Sequence, residues 1–164
     1  SLLRTLAGLQ QPLEGQIFVE PDLSIYLGHA DAIKSNLTVI ETLRFWAEIF
    51  GSKISIAEVL EIFNLELLRE RYAGSLSAGQ QRRLSLSRLI LSNRLIWLMD
   101  EPTLALDQVA CRALNEIVNN HLNSGGCAVI ASHSDINLTK QTKLLDLVDF
   151  KPKQEFVSDV DIFL

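Results

Sequence analysis

Two unbroken apolar runs on either side of an amphipathic segment constrain the fold of this chain more than any other feature. Residues 95–99 read LIWLM, residues 127–132 read CAVIAS, and residues 108–122 between them have helical spacing. Strands that are apolar on both sides suit a parallel sheet whose two faces are covered by helices. The sequence therefore predicts a strand, helix, strand unit with parallel pairing, and with it an α/β fold.

Weaker patterns predict further elements on both sides of this unit. Leucines at helical spacing in residues 2–9 predict a helix that ends at Gly8. Two short β-rich runs, residues 15–20 and 23–28, predict strands because Gly, Pro and Asp bound them. Residues 144–148, which read LLDLV, predict one more strand.

The middle of the chain is predicted to be mainly helical up to about residue 73. Thr38 followed by Glu41, and Ser55 followed by Glu58, each form the capping-box pattern that starts a helix. Both predicted helices have an apolar side. This region therefore needs a surface to pack against.

Composition excludes several classes of protein. The chain has 164 residues, 48% of them hydrophobic, which suits one globular domain with a buried core. A net charge of −5 argues against binding to nucleic acid through basic residues, so no nucleic-acid partner is expected. The two cysteines, Cys111 and Cys127, are too few for a zinc site or a disulfide framework. No apolar run approaches the ~20 residues that span a bilayer, which predicts a soluble chain.

Three polar side chains follow the two apolar runs. Asp100 and Glu101 come directly after the first run, and His133 comes after the second. The carboxyl ends of parallel strands are where open α/β sheets bind ligands. There, one carboxylate can hold Mg²⁺, the other can activate a water, and the imidazole can bond a phosphate. The alternative is an acidic turn with a surface histidine.

The stretch SLSAGQQRRLSLSRLIL, residues 75–91, places small residues at the mouth of a long helix. Unpaired N–H groups and the helix dipole make such a mouth a site for anions, and Gly79 allows close approach of the backbone. The alternative is simple capping by Ser77, with Arg82 and Arg83 on a solvated face.

These segments, in this order, resemble the ATP-binding cassette ATPase family. LSAGQ at 76–80 resembles its signature motif, LIWLMDE at 95–101 its Walker B strand and LALD at 104–107 its D-loop. His133 resembles its switch histidine, and LTVIETL at 37–43 the start of its helical subdomain.

The resemblance implies a P-loop NTPase-like fold, a mainly parallel sheet flanked by helices with a small helical subdomain. In these terms residues 1–36 and 74–150 are portions of a RecA-like core, residues 37–73 the helical subdomain, and residues 151–164 a peripheral tail. It also implies ATP and Mg²⁺ as cofactors.

The resemblance further implies roles for individual residues. Asp100 is expected to position Mg²⁺, Glu101 to act as the general base, and His133 to stabilise the γ-phosphate of ATP. His29 takes the place of the Q-loop glutamine and is expected to sense the nucleotide state.

In the family, two cassettes pair head to tail, and the signature of one closes over the nucleotide of the other. A second ATPase subunit is therefore an expected partner. Its nucleotide would be touched by four residues of the signature and by the D-loop aspartate: Ser77, Ala78, Gly79, Gln80 and Asp107.

Two stretches are similar to the haem-exporter branch of the family: YLGHADAIKSNLT at 26–38, with His29, and LSAGQQRRLSLSRL at 76–89. This branch implies coupling of ATP hydrolysis to export in cytochrome c biogenesis. The partners would be integral membrane subunits of the exporter, and the location the cytoplasmic side of the bacterial inner membrane.

The sequence departs from the family's pattern at the phosphate-binding loop. The sequence contains no Gly-rich phosphate loop ending in Lys and Ser/Thr, and SLLRTLAGL at 1–9 resembles the helix that follows that loop. The N-terminal strands and the P-loop are therefore expected to be absent, and the 164 residues alone to be inactive. The alternatives are an incompetent binding or regulatory module that contributes only its signature edge to an intact partner, and a non-exporting cassette.

Overall fold

The computed structural model describes residues 2–18, 20–133, 136, 138–139 and 142–150. The predicted peripheral tail, residues 151–164, and Ser1 lie outside the described residues. The division into a core portion and a helical subdomain stays a prediction.

Three parallel strands form the sheet in the described part of the chain. They are β1 (Ser24–Leu27), β2 (Ile96–Asp100) and β3 (Cys127–Ala131), in the order β1-β2-β3. The register pairs Ile25 with Trp97 and Trp97 with Ala128. The parallel strand, helix, strand unit predicted from the two apolar runs is therefore confirmed.

The part of the chain that the structure describes contains five α-helices. They are α1 (Leu2–Leu6), α2 (Val39–Phe50), α3 (Ile56–Ile62), α4 (Ala78–Ser92) and α5 (Gln108–Asn123). Single 3₁₀ turns occur at Pro21–Leu23, Glu66–Leu68, Ala73–Ser75 and Leu147–Phe150. Among the residues described, no helix combines the length and the apolar character needed to cross a membrane.

Helix α4 packs against α2, α3 and β1. Its leucines, among them Leu84, Leu89 and Leu91, are fully buried. They join side chains of the sheet, α2, α3 and α5 in one hydrophobic core. Such burial contributes roughly 1.5–3 kcal/mol for each large apolar side chain, so α4 anchors the fold.

Two predicted strands are wrong. The described residues of 15–20 are irregular, with Phe18 89% exposed, and Leu144 is 98% exposed just before the 3₁₀ turn at Leu147–Phe150. A strand needs a neighbour that pairs its N–H and C=O groups. Among the described residues β1 and β3 each pair with β2 alone, so neither run is hydrogen-bonded into the sheet.

Two finer expectations also differ. The run at 127–132 predicts a strand covered on both faces, whereas β3 is an edge strand with exposed ends and a half-buried middle. The capping box is complete at Thr38, but Ser55 begins α3 without a side-chain hydrogen bond. In both cases the sequence pattern predicts the strand or the helix correctly, but not the burial of its faces or the hydrogen bonds at its end.

Candidate functional site

The carboxyl edge of the sheet carries the candidate site. Asp100 ends β2 and Glu101 follows it, His133 lies two residues beyond β3, and His29 lies two residues beyond β1. Because all three strands are parallel, their carboxyl ends meet at this edge. The predicted acid pair and both histidines are thus brought to one side of the molecule.

Glu101 is held in an unusual backbone conformation beside His133. Its φ is +46°, in the left-handed region that costs a residue with a Cβ about 1 kcal/mol. The N–H of Glu101 donates to the carbonyl of Ala131 at 2.8 Å, which ties the turn to β3. The strain is therefore balanced by bonds that aim the carboxylate at the sheet edge.

The carboxylate of Glu101 accepts the backbone N–H of His133 at 3.1 Å to Oε1 and 3.3 Å to Oε2. The imidazole Nε2 of His133 lies 3.7 Å from Oε1, and that imidazole is fully exposed. The Glu101 side chain is 27% exposed. The carboxylate is thus held by the main chain while one face remains open to solvent.

Asp100 lines a cleft of about 660 Å³ together with His29, Tyr26, Arg4 and Arg88. The hydroxyl of Tyr26 donates to Oδ2 of Asp100 at 3.5 Å. Burial, followed by the negative charge of Asp100, raises the pKa of Tyr26 above its usual value. The Asp100 carboxylate, Arg4 and Arg88 therefore line a cleft that is large enough for phosphate groups.

Ser77 caps α4 with its own side chain. Its Oγ accepts the N–H of Gln80 at 3.3 Å, and Oε1 of Gln80 accepts the N–H of Ser77 at 2.9 Å. The Ser77 hydroxyl therefore caps the helix, as the alternative interpretation of this stretch predicts. Ser77 and Ala78 are nevertheless exposed, and Gly79 and Gln80 are half-buried, so the helix mouth lies on a face that a second molecule can reach.

Gly79 and Asp107 have structural roles within the chain. A Cβ on Gly79 would lie 2.8 Å from the carbonyl oxygen of Ala105, in the loop after the acid pair. Oδ1 of Asp107 accepts the N–H of Ala110 at 2.8 Å and caps α5. Contacts of these residues with nucleotide stay a prediction.

Sequence reasoning missed Arg82. The alternative that placed Arg82 and Arg83 on a solvated face is wrong, because Arg82 is only 3% exposed and donates to the carbonyls of Gly28, Asp100, Glu101 and Pro102. Arg83 is half-buried and donates to two other carbonyls. A signal was present, since residues 82, 86 and 89 fall on one helical face.

Solved structures share the fold. An ABC transporter ATP-binding protein from Pyrococcus furiosus matches 81% of this chain and 72% of its own, with a TM-score of 0.69 and 23% identity. An ATP-binding cassette solved as a dimer in a post-hydrolysis state with ADP and Pi matches 81% of this chain and 68% of its own, with a TM-score of 0.71 and 21% identity. At these identities the likeness establishes the α/β cassette fold alone.

Sequence relatives establish the family. The ABC transporter family model matches residues 1–104. The cytochrome c biogenesis ATP-binding export protein CcmA of Roseobacter denitrificans is 49% identical over 147 residues, which is 90% of this chain and 70% of that protein. CcmA of Paracoccus denitrificans is 47% identical over 154 residues, or 94% of this chain and 72% of that protein. The chain therefore belongs to the ABC transporter family, in the branch of the cytochrome c biogenesis ATP-binding export proteins.

Proposed function

We propose that this chain is the ATP-binding subunit of an ABC transporter that couples ATP hydrolysis to export in cytochrome c biogenesis, with haem as the exported group. The relatives that carry that name support the transport role. One observation carries the catalytic role: the Glu101 carboxylate is fixed at the sheet edge by the N–H of His133, directly after Asp100.

Glu101 is the general base of this proposal. A water that attacks the γ-phosphate must lose a proton, and the carboxylate accepts it. The carboxylate is well placed because its hydrogen bonds to the main chain of His133 leave one side open. The exposed imidazole of His133 then hydrogen-bonds the transferring phosphate and stabilises the charge that develops on it.

Asp100 fits a Mg²⁺ site. Mg²⁺ in nucleotide sites is held by one or two carboxylates together with substrate phosphates and water. The Asp100 carboxylate offers oxygen ligands at the wall of the cleft, and the Tyr26 hydroxyl orients it. When bound, Mg²⁺ neutralises charge on the phosphates. His29, in the same cleft, is the residue proposed to sense whether nucleotide is present.

The exposed mouth of α4 is proposed to meet nucleotide held by a second ATPase subunit, paired head to tail. Ser77, Ala78, Gly79 and Gln80 line this mouth; the N–H groups of Ser77 and Gln80 are engaged in the capping box, and those of Ala78 and Gly79 are the first-turn amides proposed to meet the nucleotide. Asp107 lies in the loop that touches Gly79 through Ala105. One structural neighbour is a dimeric cassette with ADP and Pi, which agrees with this pairing.

The Gly-rich phosphate loop of an ATP site is not among these 164 residues. We therefore propose that ATP hydrolysis requires a complete ATPase in which that loop is present, and that the 164 residues alone are inactive. The integral membrane subunits of the exporter are the proposed second partner, with the ATPase bound peripherally on the cytoplasmic side of the bacterial inner membrane.

The test is Glu101→Gln in the complete ATPase, with Glu116→Gln on the exposed side of α5 as the matched control. Removal of a general base is expected to lower turnover by about 10²- to 10⁴-fold. ATP-driven dimerisation should persist because the amide keeps the shape of the side chain. Phosphate release and light scattering measure the two effects.

Hydrolysis at the normal rate in Glu101→Gln would remove Glu101 from the base role. If the unmodified complete ATPase dimerises with ATP and shows no turnover, the second candidate holds, a module that contributes only its signature edge. The exposed mouth of α4, in a sequence without a Gly-rich phosphate loop, is the observation that favours this candidate.

A further inference from the structure

We infer that Arg82 is a positioning residue for hydrolysis, which locks the main chain of the acid pair and the loop that bears His29 onto α4. The inference rests on the proposed function, because it takes Glu101 as the catalytic carboxylate. Arg82 itself touches no reacting atom in this proposal. It acts through the backbone on which the reacting groups are carried.

The first part of the contact is with the turn after β2. Nη2 of Arg82 donates to the carbonyl of Asp100 at 3.0 Å and to that of Glu101 at 2.7 Å, and Nε lies 3.4 Å from the carbonyl oxygen of Pro102. Glu101 has a φ of +46°. The bonds on both sides of this strained residue oppose its relaxation into ordinary backbone geometry.

The second part is with the loop after β1. Nη1 of Arg82 donates to the carbonyl of Gly28 and to Oδ1 of Asp31, both at 3.0 Å. Ser85, one turn further along α4 and fully buried, donates its hydroxyl to the carbonyl of Asp31 at 3.1 Å. Two side chains of α4 therefore hold the loop that carries His29.

An arginine is suited to this position because its planar guanidinium spreads five N–H donors over a fixed fork. One side chain can then join two loops that come from different strands. A lysine has a single nitrogen and cannot hold both sides of the fork at once. Arg82 is 3% exposed, so the hydrogen bonds that it makes are largely shielded from water and their loss is costly.

Helix α4 also begins at the exposed mouth that is proposed to meet the partner's nucleotide. Ser77 lies little more than one turn before Arg82 on the same helix. A shift of that mouth is therefore transmitted by Arg82 to Glu101 and to the His29 loop together. This arrangement couples dimer closure to the alignment of the catalytic carboxylate.

The test compares Arg82→Lys with Arg83→Lys in the complete ATPase. Arg83 is the matched control, because it is the next residue of α4 and donates to the carbonyls of Phe63 and Asn64, away from both loops. Arg82→Lys is expected to lower kcat about 10-fold or more while the KM for ATP stays within about twofold, since small misplacements of catalytic groups have large effects. Arg83→Lys should leave both constants unchanged.

Hydrogen exchange gives a readout that does not depend on activity. In Arg82→Lys, the amides of residues 28–31, of Glu101, Thr103 and Leu104, and of His133 should exchange faster, and in Arg83→Lys they should not. If Arg82→Lys does not fold, Asp31→Ala replaces it; this change removes the carboxylate that Nη1 of Arg82 contacts, and the amides of residues 28–31 should exchange faster. Equal kcat and equal exchange in the Arg82→Lys and Arg83→Lys proteins, or unchanged exchange in the Asp31→Ala protein, would overturn the inference.

The outcomes also separate this inference from the proposed function. An active Glu101→Gln protein defeats the proposed function. An inactive Glu101→Gln protein together with a fully active Arg82→Lys protein defeats only the role of Arg82.

Discussion

Gly79 lies in the first turn of α4 with its Cα against the loop that follows the acid pair. A Cβ at this position would be 2.8 Å from the carbonyl oxygen of Ala105, and that oxygen belongs to the backbone. Ala105 has a φ of +62°, so its own turn is already constrained. The absence of a side chain at Gly79 is therefore what allows α4 and this loop to touch.

Gly79→Ala is expected to destabilise the protein by about 1–3 kcal/mol, the usual cost of overpacking. The gain in helix propensity of up to ~1 kcal/mol does not offset a clash with a backbone atom. Urea unfolding of the variant and of the neighbouring exposed control, Ala78→Ser, measures the difference. A Gly79→Ala protein as stable as the control would show that the loop moves away freely.

The positions of single residues in the fold were predictable from the sequence only in part. Asp100, Glu101 and His133 could be placed because each follows an apolar run, and the ends of parallel strands meet. Arg82 was missed because its charge was given more weight than its place on the same face of α4 as Leu86 and Leu89. Its partners could not be found in this way, since Gly28 and Asp31 are more than 50 residues away.

Helices α2 and α3 allow a matched test of how much a helix cap contributes to stability. Thr38 makes a complete capping box with Glu41, at 3.2 Å for the hydroxyl bond and 2.8 Å for the carboxylate bond. Ser55 begins α3 with no such bond. Thr38→Ala is therefore expected to cost about 1 kcal/mol, and Ser55→Ala only a few tenths.

Thermal unfolding of the two alanine variants in parallel measures this difference. Both substitutions remove one hydroxyl at a helix start. Thr38→Ala also removes a methyl group, and Thr38→Ser, which keeps the hydroxyl, measures that part of the loss. Equal losses of stability would mean that the bonds of Thr38 contribute nothing beyond what Ser55 contributes.

Some strands were predictable from the sequence and others were not, depending on how continuous the apolar run is. Strands β2 and β3 were predictable because long apolar runs between turn residues leave few other structures. The described residues of the runs at 15–20 and 144–148 form no strand and are not paired with β1, β2 or β3. Strand formation depends on a partner as well as on the strand, and a single run carries no information about its partner.

At the scale of the whole molecule, α5 is fastened to the base of the sheet by His121. Its ring stacks on Trp97 of β2 with 3.7 Å between centroids and 5° between planes. Its Nε2 lies 3.1 Å from the carbonyl oxygen of Leu95 and 3.3 Å from that of Cys127, at the start of β2 and β3. Burial lowers the pKa of His121, and the two carbonyls partly oppose this shift.

The lowered pKa of His121 makes global stability depend on pH. Above the unfolded pKa of ~6.5 the ring is neutral in both states, and its full contribution is present. As the pH falls below that value, the unfolded chain takes up the proton first, so stability falls until the pH passes the lower pKa of the folded state. Denaturant unfolding from about pH 7.5 to about pH 5 should therefore show a decline that His121→Gln reduces. An identical decline in His121→Gln would show that other groups set the acid sensitivity of the fold.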